Sequence, residues 1–126
     1  MGLDITVNNK NVYHRGYISF GKLRCAIADA ACLSTYSDWY METLLRTKKS
    51  EELWPIVQKE LKGHPLRMFL LHSDCEGYIG VNSARKIMPY LSALIDKIDE
   101  DFKLELEYLV DGFKESIECN AKLIFG

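Results

Sequence analysis

The chain has 126 residues, 48% hydrophobic and 27% charged, which is enough for one domain with a proper core and too little for two. No window approaches 18 uninterrupted apolar residues, and no basic segment followed by an apolar stretch opens the chain, so the expectation is a cytoplasmic protein with no membrane contact. The formal charge of -2 hides an uneven spread: residues 99–118 hold eight acids against Lys103 and Lys114, and no stripe of Lys and Arg exists to release counterions from a duplex, which argues against direct nucleic-acid binding.

Cys25, Cys32, Cys75 and Cys119 form no C-x-x-C pair. Seven positions on a helix put Cys25 and Cys32 about 10 Å apart, beyond disulfide reach, so free thiols in a reducing compartment are expected. These cysteines and His14, His64 and His72 show no finger-like spacing, and the sequence implies neither a metal nor any other cofactor.

Leu3, Ile5 and Val7 alternate with Asp4 and Thr6, and a second alternation runs from Val12 to Ile18 after Asn8-Asn9-Lys10-Asn11. Two period-two runs around an Asn-rich link read as a hairpin. Gly2 and Thr6 also fit the loose N-myristoylation pattern, but the strand already accounts for the apolar residues and no polybasic second signal follows. Ser19 can cap a helix to about Leu33 with Phe20, Leu23, Ile27, Ala30 and Ala31 on one face and Cys25, Ala28 and Cys32 on the other. Such a helix, apolar around its girth, is expected at the centre, covered on two sides.

A short helix carrying Trp39, Tyr40, Met41, Leu44 and Leu45 follows the caps at 34–38, and another runs from Glu51 to Lys62, starting near Leu53 or bending at Pro55 and ending at Gly63-His64-Pro65. The aromatic residues Tyr36, Trp39, Tyr40 and Trp54 fit a core better than a pocket. Leu66 to Leu71 reads as a strand buried on both faces, returning as Tyr78–Val81. Asn82 or Ser83 caps a helix to about Lys97, bent or split at Pro89. Residues 102–110 alternate like a strand, yet Phe102, Leu106, Leu109, Phe113, Ile117 and Ala121 form a helical stripe that continues past Gly112, and helix is favoured. The fold expected is α+β: a single-layered, mostly antiparallel sheet from the N-terminal hairpin and the segments around 66–81, packed with four to five helices in one domain over 1–126.

One stretch carries concentrated chemistry: His72-Ser73-Asp74-Cys75-Glu76-Gly77. His72 can act as base or ligand, Cys75 as nucleophile, and Asp74 or Glu76 as orienting carboxylate. Against this, Asp at the first and Gly at the fourth position dress a type I turn, with Ser73 able to help, and that turn would fold 66–71 back on 78–81.

The opening Met1-Gly2-Leu3-Asp4-Ile5 and the block Leu70-Leu71-His72-Ser73-Asp74-Cys75-Glu76-Gly77 resemble those of a set of small bacterial and phage proteins that carry no established activity. The resemblance implies a shared fold and marks Asp4, His72, Asp74 and Cys75; it implies no reaction.

Two functions remain. The first is a non-catalytic binding or inhibitory protein of phage or bacterial conflict systems, of the immunity or counter-defence type, which captures a protein partner; Glu105, Glu107, Asp111 and Glu115 would face a basic partner surface. The second is a small-molecule site in which Asp4, His14, His72, Ser73, Asp74, Cys75 and Glu76 sequester a nucleotide-like ligand or support metal-assisted hydrolysis. The C-terminal apolar stripe also allows a homo-oligomer.

Overall fold

The computed structural model describes residues 2–126. β1 (Gly2–Val7) and β2 (Lys10–Gly16) pair as an antiparallel hairpin. Asn8 and Asn9 both hold positive φ, 51° and 64°, as a two-residue type I′ turn requires and as Asn tolerates. Ile5 pairs with Tyr13 but Thr6 with Asn11, so Val12 is an extra residue in β2. This bulge turns Val12 and Tyr13 inward together, where plain alternation would bury only one. Tyr13 packs on Phe20 and Tyr108, and its hydroxyl donates to Glu105 Oε1 at 2.8 Å.

The chain passes from β2 into α1 (Tyr17–Ala30) without a linker, with extended Gly16 rather than Ser19 at the cap position. α2 (Ser34–Leu44) and α3 (Lys49–Leu61) follow as a helical pair joined by a Trp39–Trp54 contact at 4.9 Å. α3 starts six residues before Pro55 and runs through it. Cys32 and Arg46, at φ +63° and +55°, end α1 and α2 in the left-handed conformation; Leu33 N–H donates to Ala28 O and Thr47 N–H to Glu42 O, the 6→1 bonds of the Schellman motif.

Residues 66–71 are not a strand. α4 (Arg67–Leu71) is a short helix in which Leu66, Phe69 and Leu70 are buried while Arg67 and Met68 are exposed, a three-and-four spacing that no strand alternation reproduces. The hairpin expected between 66–71 and 78–81 is therefore absent. β3 (Tyr78–Ile79) pairs instead with β4 (Leu123–Phe125), which in turn pairs with β1. α5 (Val81–Ala93) is capped by Gly80 rather than Asn82 or Ser83, and α6 (Glu100–Cys119) is the continuous helix favoured by its apolar stripe.

Among the described residues, six helices and one four-stranded antiparallel sheet, order β2-β1-β4-β3, make an α+β fold. Leu3, Ile5 and Val7 face the helices. Phe20 of α1 is the hub, with Tyr13, Phe69 and Phe125 around it at 5.8–6.4 Å and Phe113 beyond Phe69. No helix among the described residues is long and apolar enough to cross a membrane.

Gly112 lies where α6 meets the bulge: a Cβ there would stand 3.2 Å from Val12 Cγ2. Gly112→Ala should therefore fail to yield the ~1 kcal/mol that this swap gives at an open helix position, and should recover it in a Val12→Ala background. Urea unfolding of the four proteins checks this; equal gains in both backgrounds would deny the close approach.

Candidate functional site

The loop 72–77, between α4 and β3, spends most of its polar groups on itself. His72 Nδ1 lies 2.8 Å from Ser73 O and Nε2 3.0 Å from Tyr78 O, while the ring stacks on Phe125 at 4.2 Å. A neutral imidazole donates to one of those carbonyls, an imidazolium to both. Ser73 Oγ accepts from Cys75 N–H at 3.2 Å, and Gly77 turns the chain at φ +90°, a conformation that strains any other residue, where a Cβ would crowd the His72 ring at 3.3 Å. Ser73 thus takes the turn-forming part expected of Asp74, whose carboxylate accepts no amide among the described residues. Glu76 is exposed.

Asp4 and His14 contact each other across the hairpin, and the hydrogen bond from His14 holds the Asp4 carboxyl below its ordinary value. They do not join the loop. Asp4 alternates with buried Leu3 and Ile5 and so faces away from the helices, whereas Phe125, paired with Ile5, carries His72 on the helix side. The sheet lies between the two groups. His64 is also occupied, its Nδ1 accepting from Leu66 N–H at 3.1 Å, and burial lowers its pKa. Among the described residues no three His, Cys, Asp or Glu side chains gather closely enough to hold a metal ion.

The α6 carboxylates expected to face a partner divide in two. Glu105 accepts from Tyr13 and pairs with Arg15 at 3.5 Å, and Glu115 pairs with Lys10 at 3.6 Å, so these two tie α6 to β2. Glu107 and Asp111 make no ion pair among the described residues.

The one loop carboxylate that points elsewhere, Asp74, lines a groove of about 690 Å³. α1 contributes Ile18, Ala26 and Ala30, α2 contributes Met41 and Leu44, and Phe102 comes from α6. The groove follows α1 from Tyr17 to Ala30, roughly 20 Å. Of the second apolar side expected of α1, Ala28 is buried and Cys25 half-buried at the groove, while Ala30, expected on the core face, lines the groove instead. Cys32, placed on that second side by its spacing, is exposed past the helix end. Ile18 is 74% exposed, Met41 52% and Leu44 59%. Lys22 and Lys97 also line it and make no ion pair among the described residues.

Cys25 lies in the groove as well, but burial pushes its thiol up to about 11, so it offers no thiolate nucleophile near neutral pH. Behind it sits Arg24, 7% exposed, with Nη1 donating to Leu70 O at 3.0 Å; the Tyr36 hydroxyl donates to the same oxygen at 2.9 Å. Neither the groove nor the buried arginine was legible as a site. The available signal was the apolar girth of α1, interrupted by charge only at Lys22, Arg24 and Asp29.

His72→Ala should lower unfolding stability by about 1–3 kcal/mol through the lost carbonyl bonds and ring stacking, while Asp74→Ala should stay within about 0.5 kcal/mol, in urea titrations. In the folded protein near neutral pH, iodoacetamide should modify exposed Cys32 and Cys75 well before Cys25, as peptide mass spectrometry will show. Comparisons with protein-family models, with curated proteins and with solved structures each return no match.

Proposed function

We propose that this chain is a non-catalytic binding protein, of the immunity or counter-defence kind found in phage and bacterial conflict systems, that captures a protein partner in the α1/α2 groove. The supporting observation is three large aliphatic side chains, Ile18, Met41 and Leu44, each more than half exposed, gathered on one concavity. Exposed apolar residues scattered singly need no explanation; a cluster along a groove does. A groove of roughly 20 Å suits an amphipathic segment presenting an apolar stripe, and adaptable Met41 suits a surface that must repack. Glu107 and Asp111 remain available to a basic flank of the partner. The chemistry of the loop adds support, because both His72 nitrogens face backbone carbonyls and the Cys75 thiol, among the described residues, hydrogen-bonds to Ser73 and not to His72. The phage or bacterial setting rests on the likeness of the two sequence blocks.

A second reading, a small-molecule ligand, is favoured by the groove's size, which falls within the ~300–1,000 Å³ of ligand pockets. It moves the ligand away from the seven residues singled out in the sequence, of which only Asp74 lines the groove.

The test is capture with a matched control. Immobilised wild-type protein should retain a defined host protein that an Ile18→Asp, Leu44→Asp variant releases, the two having the same thermal unfolding midpoint. Retention that is identical for both proteins, or a wild type that retains nothing at low and moderate salt, would remove the groove as a partner site. Light scattering distinguishes a second copy of the chain as the occupant.

A further inference from the structure

Arg24 presents an unusual imbalance. Its guanidinium is buried and, among the described residues, pairs with no carboxylate; Nη1 donates to Leu70 O, while Nε and Nη2 are buried and meet no acceptor among those residues. A guanidinium cannot relieve its burial by losing a proton. The rings of Phe20 and Phe69, 4.3 and 5.7 Å from Cζ, offset part of the cost. What remains unmatched is chemically specific. Nε and Nη2 share one edge of the guanidinium, and two parallel N–H donors on one edge are the fork that a carboxylate accepts.

Arg24 does not itself line the groove, and the route between them runs through Tyr36 and Tyr40. Tyr40 lines the groove and stacks on Tyr36 at 6.3 Å, and Tyr36 shares the Leu70 carbonyl with Arg24. The Tyr40 hydroxyl rests in a notch at Gly21, where a Cβ would overlap it, and Gly21 precedes Arg24 by one turn on the same side of α1. A glycine inside a helix is unfavourable for propensity, and here it makes room for that one hydroxyl.

We propose that the groove takes a small apolar carboxylate, its chain or ring lying along Ala26, Met41 and Leu44 and its carboxylate on the Nε–Nη2 edge of Arg24, reached as Tyr40 leaves its notch. This rests on the second reading above, a small-molecule ligand in the groove. Lys22 and Lys97 favour an anion at the rim, and Asp29, Asp74 and Asp99, which line the same groove, oppose it; Asp29 and Asp99 accept from Ser37 and Asp101, while Asp74 accepts no hydrogen bond among the described residues.

The test is calorimetric titration of the full chain with octanoate, octan-1-ol and octylamine. Octanoate should bind more tightly than octanol by about tenfold or more, the difference made by charge-assisted hydrogen bonds, and octylamine more weakly than either. Arg24→Met should bring octanoate down to the level of octanol, and Asp74→Asn should tighten octanoate while leaving octanol unchanged. If Arg24→Met does not fold, the Nε–H resonance of Arg24 in the wild type decides: it should shift with octanoate and not with octanol. Equal affinities for octanoate and octanol, or an unmoved Nε–H resonance at saturating octanoate, overturn the anchor and leave the apolar groove standing. Binding of none of the three overturns the anchor and the small-molecule reading together, while capture of a protein by the groove is judged separately by the Ile18 and Leu44 variant.

Discussion

The carbonyl oxygen of Leu70 is the point on which three helices converge. The last carbonyls of a helix have no partner within it, and a helix as short as α4 has little else to hold it. Here α1 supplies the Arg24 guanidinium and α2 the Tyr36 hydroxyl, both donating to that one oxygen. Tyr36 is itself so buried that its hydroxyl is pushed up to about 12, which keeps it protonated as the donor. With Leu70 O committed in this way, residues 66–71 are unavailable for a sheet ladder, and Phe69 packs edge-on to Phe20 instead. Taking a charge out of water costs several kcal/mol even after relaxation, so the arrangement persists because the surrounding core enforces it.

The consequence for the surface is a division of labour around α1. Its Phe20, Leu23 and Ile27 face the core, and its Ala26 and Ala30 face the groove. What fixes α6, whose N-terminal residue Phe102 lines the same groove, is the hairpin: Tyr13 and Arg15 hold Glu105, and Lys10 holds Glu115. Exposed ion pairs such as Lys10–Glu115 contribute little, whereas the Tyr13 hydroxyl, fully buried and donating to a carboxylate, is worth more. Much of the acidic run at 99–118 thus serves the fold and is not all a surface for others. That run could be read as a partner face because charge is visible in a sequence and its local partner is not.

Long periodic elements were legible and non-local ones were not. The hairpin, α1 and α6 follow from alternation or a three-and-four stripe sustained over several turns. β4 is three residues whose identity as a strand depends on β1 and β3, more than forty positions away in sequence. The helix ends show the same limit: Gly63 and Asn120 are residues that announce a left-handed position, while Cys32 and Arg46 adopt it without any such signal. At the candidate site the bias ran the other way. The polar hexapeptide drew attention by its composition, yet His72 and Ser73 bond to nearby backbone, and the groove is assembled from Ile18, Met41, Leu44 and Phe102, four residues from three helices that no local pattern connects.

Why the groove stays open follows from how α2 is held. α2 lies between two left-handed residues, Cys32 and Arg46, and is fixed inside by Tyr36 on Leu70 O and outside by Trp39 against Trp54 of α3. Its distance from α1 is further set by the Tyr40 hydroxyl in the Gly21 notch. With those anchors in place α2 cannot settle onto the small side chains of Ala26 and Ala30, and Met41 and Leu44 overhang them instead. Fully burying such a side chain is worth about 1.5–3 kcal/mol. Collapse of α2 onto α1 would gain that only by breaking the Tyr36 bond and leaving that buried hydroxyl without its acceptor. The buried polar contact therefore keeps the apolar concavity from closing on itself, and the free energy of covering it is left for whatever binds.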